Sequence, residues 1–239
     1  MNIALIGYGK MGKAIEQEAL LRGHRIVLAM DLINKDLTAD SLKAADIAIE
    51  FTQPEAAVDN IFKCFEAGVP VVVGTTGWYD RYEEVRKRCA DTNGTLFTAT
   101  NFSIGVNIMF AANRYLAKIM AGQPSYRVSM TETHHTQKLD APSGTAISLA
   151  EQVIKAHNGY DSWGLAGRDY IEKGVLPISA HRKDDVPGIH EVIYTNEIDE
   201  ISIRHSAYSR KGFAQGAVIA AEWTADKKGV FTMDDMLKF

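Results

Sequence analysis

The stretch "NIALIGYGKMG" at residues 2–12 decides the fold. "NIALI" is a short apolar run that stops at Gly7, and Met11, Ala14, Ile15 and Ala19 then recur at helical spacing. Gly7, Gly9 and Gly12 therefore form a G-x-G-x-x-G turn between a strand and a helix, the setting in which that pattern becomes specific. There the first glycine permits a tight turn and the second lets the backbone approach a pyrophosphate. The third lets the helix pack closely, and the helix N-terminus offers amides to the phosphates. Tyr8, Lys10 and Met11 complete this dinucleotide-binding turn. Asp31 directly follows the next apolar run, "RIVLAM" (25–30). A carboxylate there accepts hydrogen bonds from the adenosine ribose hydroxyls and repels a 2′-phosphate, so it favours NADH over NADPH. Lys10 and Lys35 are cations that could reach such a phosphate and restore NADPH use.

Outward from this turn, "DIAIEF" (46–51), "VPVVVG" (69–74) and "TLFTA" (95–99) read as buried strands. Helical segments at 54–67 and 79–90 separate them. Strand and helix in alternation predict a Rossmann-type, doubly wound parallel sheet. Its strand ends bring Phe51 and Thr52, then Gly74, Thr75 and Thr76, then Ala99, Thr100, Asn101 and Phe102 to one edge, where ligands bind in such folds. After about residue 105 the texture changes. "YRVSMTET" (126–133), "HEVIYT" (190–195) and "EISIRHSA" (200–207) alternate apolar and polar residues, the pattern of half-buried strands in an open mixed or antiparallel sheet. A helix after Pro142 carries Ala146, Leu149, Ala150 and Val153 on one face, and "GFAQGAVIAAEWTADKK" near the end is helical again. The expectation is an α/β chain: residues 1–105 and 212–239 form a dinucleotide-binding domain, and residues 106–211 an α+β domain for substrate binding and oligomerisation.

Composition narrows the class of function. A length of 239 residues with 46% hydrophobic content can bury a sizeable core. No apolar run has the length of a membrane span, and the first residues lack the basic start and cleavage site of a signal peptide, so a cytoplasmic location is expected. Cys64 and Cys89 are isolated thiols without a CxxC or a neighbouring His, which fits a reducing compartment; no disulfide and no metal site is expected. A net charge of −4 gives no reason to expect nucleic acid or an anionic membrane as partner.

Residues 132–146, "ETHHTQKLDAPSGTA", gather two adjacent histidines, Lys138, Asp140 and a Pro-Ser-Gly-Thr run. Asp140 is available to cap the helix that follows, and His190 and His205 are read as structural residues on strands. With "GYGKMG", "GTTGW" (74–78), "NFSIGVN" (101–107), "GIHEVIY" (188–194) and "ISIRHSA" (201–207) in the same order, this stretch resembles the signature of the 4-hydroxy-tetrahydrodipicolinate reductase (dihydrodipicolinate reductase) family over nearly the whole chain. The resemblance implies hydride transfer from NADH or NADPH to a cyclic dicarboxylate imine in diaminopimelate and lysine biosynthesis, within a homotetramer. It also implies that His134 is the catalytic histidine, Lys138 the proton donor, and His135, Gly144 and Thr145 the substrate binders. The dinucleotide contacts would fall on the glycine turn, Asp31, residues 74–76 and residues 99–102. The chain departs from the family pattern in a short segment after Asp31, in Leu32 where some relatives place Arg, and in Thr136 and Gln137 where more basic residues are usual. Hydride addition to a conjugated imine leaves negative charge that a nearby imidazolium or ammonium can quench. A planar dicarboxylate also needs cations and amide donors. Two other readings share part of the pattern. A different NAD(P)-dependent dehydrogenase of the same fold group would lack the His pair followed by Lys138, and a non-catalytic dinucleotide-binding sensor would need no proton donor.

Overall fold

A computed structural model describes residues 1–31, 37–167, 173–209 and 211–239; Leu32 and Lys35, singled out above, lie outside them. The chain begins β1 (Asn2–Ile6), α1 (Lys10–Leu21), β2 (Arg25–Met30), α2 (Ala39–Leu42), β3 (Ile47–Glu50), α3 (Pro54–Ala67), β4 (Val71–Val73), α4 (Tyr82–Asp91) and β5 (Thr95–Thr98). It continues through α5 (Ile104–Met120), β6 (Arg127–His134), α6 (Gly144–Ala156), β7 (Ser162–Leu165), β8 (Val175–Arg182), β9 (Gly188–Thr195) and β10 (Glu200–Ala207). It ends with α7 (Lys211–Thr224), β11 (Gly229–Phe231) and α8 (Met233–Leu237). Two compact units result, Met1–Ile104 with Lys211–Phe239, and Gly105–Arg210.

In the first unit the described strands form a parallel sheet in the order β11-β5-β4-β3-β1-β2. Both faces are covered, because alternate strand residues point to opposite helix layers. Ala4, Ile6, Ala48, Val71 and Val73 pack with Ala57, Val58 and Ile61 of α3 and Val85 of α4. Ile3, Leu5, Ile47, Ile49 and Val72 pack with Ile15 and Ala19 of α1 and Ala217, Val218 and Ala221 of α7. Continuous apolar strands are what such double burial demands. α3 starts with Pro54 in its first turn and stops at Gly68, whose φ of +70° places it in the left-handed region. The chain leaves β1 for β2 on one side and reaches β3 on the other, so the sheet's switch point lies at the carboxyl ends of β1 and β3. The sixth strand comes from the chain's end. β11 pairs with β5, a three-residue addition for which the sequence carried no strand signal.

The second unit is built on a mixed sheet in the order β10-β9-β6-β8-β7. β6 runs antiparallel to β9 and parallel to β8. Its inner face carries Val128, Met130, Val192, Tyr194, Leu176 and Ile178. Ala146, Leu149, Ala150 and Val153 of α6, and Val106, Met109 and Phe110 of α5, cover that face. Each fully buried aliphatic side chain contributes about 1.5–3 kcal/mol. α5, β7 and β8 are additions to the elements expected from the sequence.

Candidate active site

In the first unit the three glycines of the turn differ in what holds them. Gly7 has φ +98°, and a Cβ there would overlap the Phe51 carbonyl; a Cβ on Gly12 would overlap the Gly7 carbonyl. Their identity follows from the protein's own packing. Gly9 is different: it caps α1 without a side-chain hydrogen bond, and a Cβ added to it meets no protein atom within 4 Å. Protein packing does not require glycine at this position, whereas close approach of a pyrophosphate to the backbone does, with the opening amides of α1 beside it. The residues present therefore fit a dinucleotide.

Around this turn, Thr75 is buried and its hydroxyl accepts a hydrogen bond from Thr52 N–H at 2.7 Å. Gly74 is fixed by Phe51, whose ring a Cβ would overlap. Thr76, Thr100 and the exposed Asp31 remain at the surface, with Lys10 at the first helical position and Met11 half-buried behind it. Tyr8 turns along α1, its hydroxyl on Glu16. Ala99 and Asn101 are half-buried, and the Asn101 carboxamide accepts from Ser103 N–H at 2.8 Å. Phe102 has its ring in the core, 5.5 Å from Phe51 and 6.0 Å from Phe97, and its carbonyl packs against Gly216, so its side chain is a core residue and not part of an open surface. Sequence reasoning passed over Glu50, a fully buried carboxyl beneath this edge. It accepts from the Thr52 amide at 3.2 Å and from the Thr52 hydroxyl. Burial holds its pKa above the usual carboxylate range against those hydrogen bonds.

In the second unit, β6 places Val128, Met130, Glu132 and His134 on one face by its two-residue period. The first two are core, and the last two continue the same face as buried polar groups. Register supplies their neighbours. Glu132 lies opposite His190 on β9, and His134 opposite Arg182 on β8. The Glu132 carboxylate is fully buried, 3.5 Å from His134 Nδ1, 3.8 Å from His190 Nε2 and 3.5 Å from an Arg182 guanidinium nitrogen. The Ser143 amide donates to it at 3.0 Å. The His134 and His190 rings meet edge to face at 5.0 Å. Burial pulls the His134 pKa below the ordinary imidazole value; Glu132 opposes that shift, while Lys138 and Arg182 add to it. His190 is lowered to about 3, first by burial and then by the positive charge of its neighbours, so it stays neutral.

The loop after β6 is tied down by Arg182, which donates to the carbonyls of Lys138 at 3.2 Å and Asp140 at 2.7 Å. The Lys138 ammonium pairs with Asp140 at 2.8 Å. Asp140, available in sequence as the cap of the next helix, serves this pair instead. The cap is Ser143, whose hydroxyl accepts from Ala146 N–H at 3.3 Å and lies 3.0 Å from His190 Nε2. Gly144 and Thr145 open α6, and a Cβ on Gly144 meets nothing within 4 Å. His135 lines a cavity of about 450 Å³ with Thr136, Gln137, Asp184, Asp185, Val186 and Pro187.

The second unit therefore brings together His134, Lys138 and the start of α6, around Glu132, His190, Ser143 and Arg182, four residues that the sequence reading did not assign to the site. The strand alternation was the signal for Glu132 and His190. Glu132, His134 and His190 also present donor atoms within 4.8 Å of one another, a spacing that a cation could use. Both carboxylate oxygens already face protein partners, Ser143 N–H and Arg182.

Comparison with known proteins agrees over the full length. Residues 1–102 match the family model described as dihydrodipicolinate reductase, N-terminus, and residues 105–237 the one described as dihydrodipicolinate reductase, C-terminus. A 4-hydroxy-tetrahydrodipicolinate reductase from Christiangramia forsetii is 47% identical over 99% of this chain and 98% of its own. One from Archaeoglobus fulgidus is 37% identical with both chains fully covered. The dipicolinate-bound dihydrodipicolinate reductase from Paenisporosarcina sp. TG-14 shares the fold, with a TM-score of 0.79 over 99% of each chain at 21% identity. The chain thus belongs to the dihydrodipicolinate reductase family, NAD(P)H-dependent oxidoreductases of lysine and diaminopimelate biosynthesis.

Proposed function

We propose that this chain reduces 4-hydroxy-tetrahydrodipicolinate to tetrahydrodipicolinate, with His134 and Lys138 holding the proton and the opening of α6 holding a substrate carboxylate. The observation that carries this reading is one buried carboxylate, Glu132, facing the His134 imidazole and the Ser143 amide at the start of α6 at once. The dinucleotide, when bound, supplies the hydride. Gly7, Tyr8, Gly9, Lys10, Met11 and Gly12 would hold its pyrophosphate, Asp31 its adenosine ribose, and residues 74–76 and 99–102 the remainder. In the second unit Lys138 places a cation where a carboxylate needs one, and Gly144 and Thr145 add the amides of a helix N-terminus. His135 borders the neighbouring cavity and would contact the same substrate. An imidazolium at His134 is an acid, made stronger than a free imidazolium because burial lowers its pKa, and Lys138 beside it is the second donor. The test is oxidation of NADH and of NADPH by the wild-type chain in the presence of the imine, followed at the nicotinamide band. Turnover is expected with both; a chain that consumes neither does not carry this activity.

The finer assignments follow the same reading. Asp31, exposed at the end of β2, favours NADH, so Asp31→Ala should weaken NADH selectively by about 1.5–3 kcal/mol, the worth of a charge-assisted hydrogen bond. Wild-type binding of NADPH more than about tenfold tighter, or about 1.4 kcal/mol, would sink that preference. A homotetramer assembled through residues 106–211 is supported by the edge strand β10, which carries Ile201 at 40% exposure. Analytical ultracentrifugation reads it directly, and a monomer would refute it. A cytoplasmic location fits the free, buried thiols of Cys64 and Cys89. Among the described residues no helix is long and apolar enough to cross a membrane.

A further inference from the structure

A fully buried carboxylate is costly unless donors converge on it. Glu132 has four groups within 3.8 Å: the Ser143 amide, His134 Nδ1, His190 Nε2 and the Arg182 guanidinium. All four belong to the residues gathered around His134, Lys138 and the start of α6. His134 Nδ1 is buried and makes no hydrogen bond at its 3.5 Å separation from Glu132, the one carboxylate within ion-pairing distance of it among the described residues. Such contacts are commonly long before substrate arrives and tighten in the complex. On the other side of the ring, Nε2 faces Gly188, where an added Cβ would stand only 3.1 Å away. The imidazole is therefore held at Nδ1 by a carboxylate and kept clear at Nε2 by a glycine.

We propose that Glu132 is the positioning residue of this site: its carboxylate takes the Nδ1 hydrogen of His134, so that Nε2 is the atom offered for proton transfer, and through the same oxygen it holds the start of α6 in register with that ring. The inference rests on the role proposed for His134 above. His190 completes the arrangement as a neutral spacer, its Nε2 on the Ser143 hydroxyl at 3.0 Å and its ring edge-to-face with His134. Arg182 supplies the compensating charge and, through the Lys138 and Asp140 carbonyls, ties the proton-donor loop to the same carboxylate. One side chain thus couples the acid, the carboxylate-binding helix and the loop. The charged and titratable groups facing His134 are Glu132 on its own strand, Lys138 and Asp140 from the loop, Arg182 from β8 and His190 from β9.

The test begins with the ligand-free wild-type chain, labelled with ¹⁵N, whose two-bond ¹H–¹⁵N correlations report imidazole tautomers. His134 is expected as the Nδ1–H form above its pKa; an Nε2–H form overturns the proposal with no variant needed. In Glu132→Gln the shape is kept and the charge removed, so the His134 pKa should fall by about one unit or more, the effect of losing an opposite charge at this range. Because the reaction needs the protonated ring, the alkaline limb of kcat should move to lower pH by the same amount, with the KM for NADH within about twofold of wild type. Glu132→Asp should recover part of that shift. A variant that loses activity equally at all pH values, with the limb unmoved, would make Glu132 structural only and overturn the proposal. Failure of the wild-type chain to reduce the imine would instead overturn the functional reading, and it is read in a separate assay from the tautomer.

Discussion

At the scale of single residues, the two groups proposed to act on the substrate should fail in different ways. Lys138→Ala removes the ammonium proposed as both proton donor and substrate cation, so kcat should fall by about 10²- to 10⁴-fold while NADH binding holds; steady-state kinetics with a separate NADH titration checks it. Gly144→Val should instead raise KM. A Cβ on Gly144 meets no protein atom within 4 Å, so glycine there is not required by protein packing, and a side chain would crowd the space where the proposed substrate carboxylate sits. The sequence brought His134, Lys138 and Gly144 forward through the family signature that one fifteen-residue stretch carries. Glu132 and His190 were harder to assign, since a glutamate and a histidine on strands are ordinary residues until the register sets them face to face. Parity was the available clue: positions 128, 130, 132 and 134 share a face, and so do 188, 190, 192 and 194. Arg182 carried no such signal, because its approach depends on β8 pairing beside β6, a contact forty-eight residues away by register with His134.

At the scale of elements, the start of α6 is the joint on which the site depends. Ser143 caps the helix, touches His190 and donates its amide to Glu132. Ser143→Ala should cost about 1 kcal/mol of stability from the lost cap, visible in a urea unfolding curve, and should raise the substrate KM as well. An unchanged KM would mean that the helix start does not bind substrate. The periodicity of α6 and the alternation of β6, β9 and β10 were readable because each buries one face and exposes the other. α5 carries buried Val106, Met109, Phe110, Ala117 and Met120 at helical spacing, a period that the sequence reading did not pick out. The three-residue β11 is too short to have a period of its own; its partner β5 makes it a strand.

At the scale of the whole molecule, acid should be the weak side of this fold. His134, His190 and His205 all have pKa values lowered by burial, His190 to about 3. The unfolded chain binds their protons near the ordinary value of about 6.5, so the stability they contribute is complete above that pH and is lost as pH falls towards 3. Urea midpoints measured from pH 7 to pH 4 should decline, and His190→Gln should decline less steeply; equal slopes would remove His190 from the account. The α/β class and the doubly wound first sheet were legible from the opening turn together with the strand–helix alternation that follows it. What the opening turn could not show is that this sheet is finished by the end of the chain. α7 lies on α1, Glu222 grips Arg22 at 2.6 Å and His24 at 2.7 Å, and β11 closes the open side of β5. During synthesis, then, the segment made first is the last to be completed. The contiguous stretch from Gly105 has all its strands once β10 has left the ribosome, whereas β5 presents bare amides and carbonyls to solvent until Phe231 follows. A stop codon a dozen residues early would leave that edge permanently open and turn a reductase into a nucleus for aggregation.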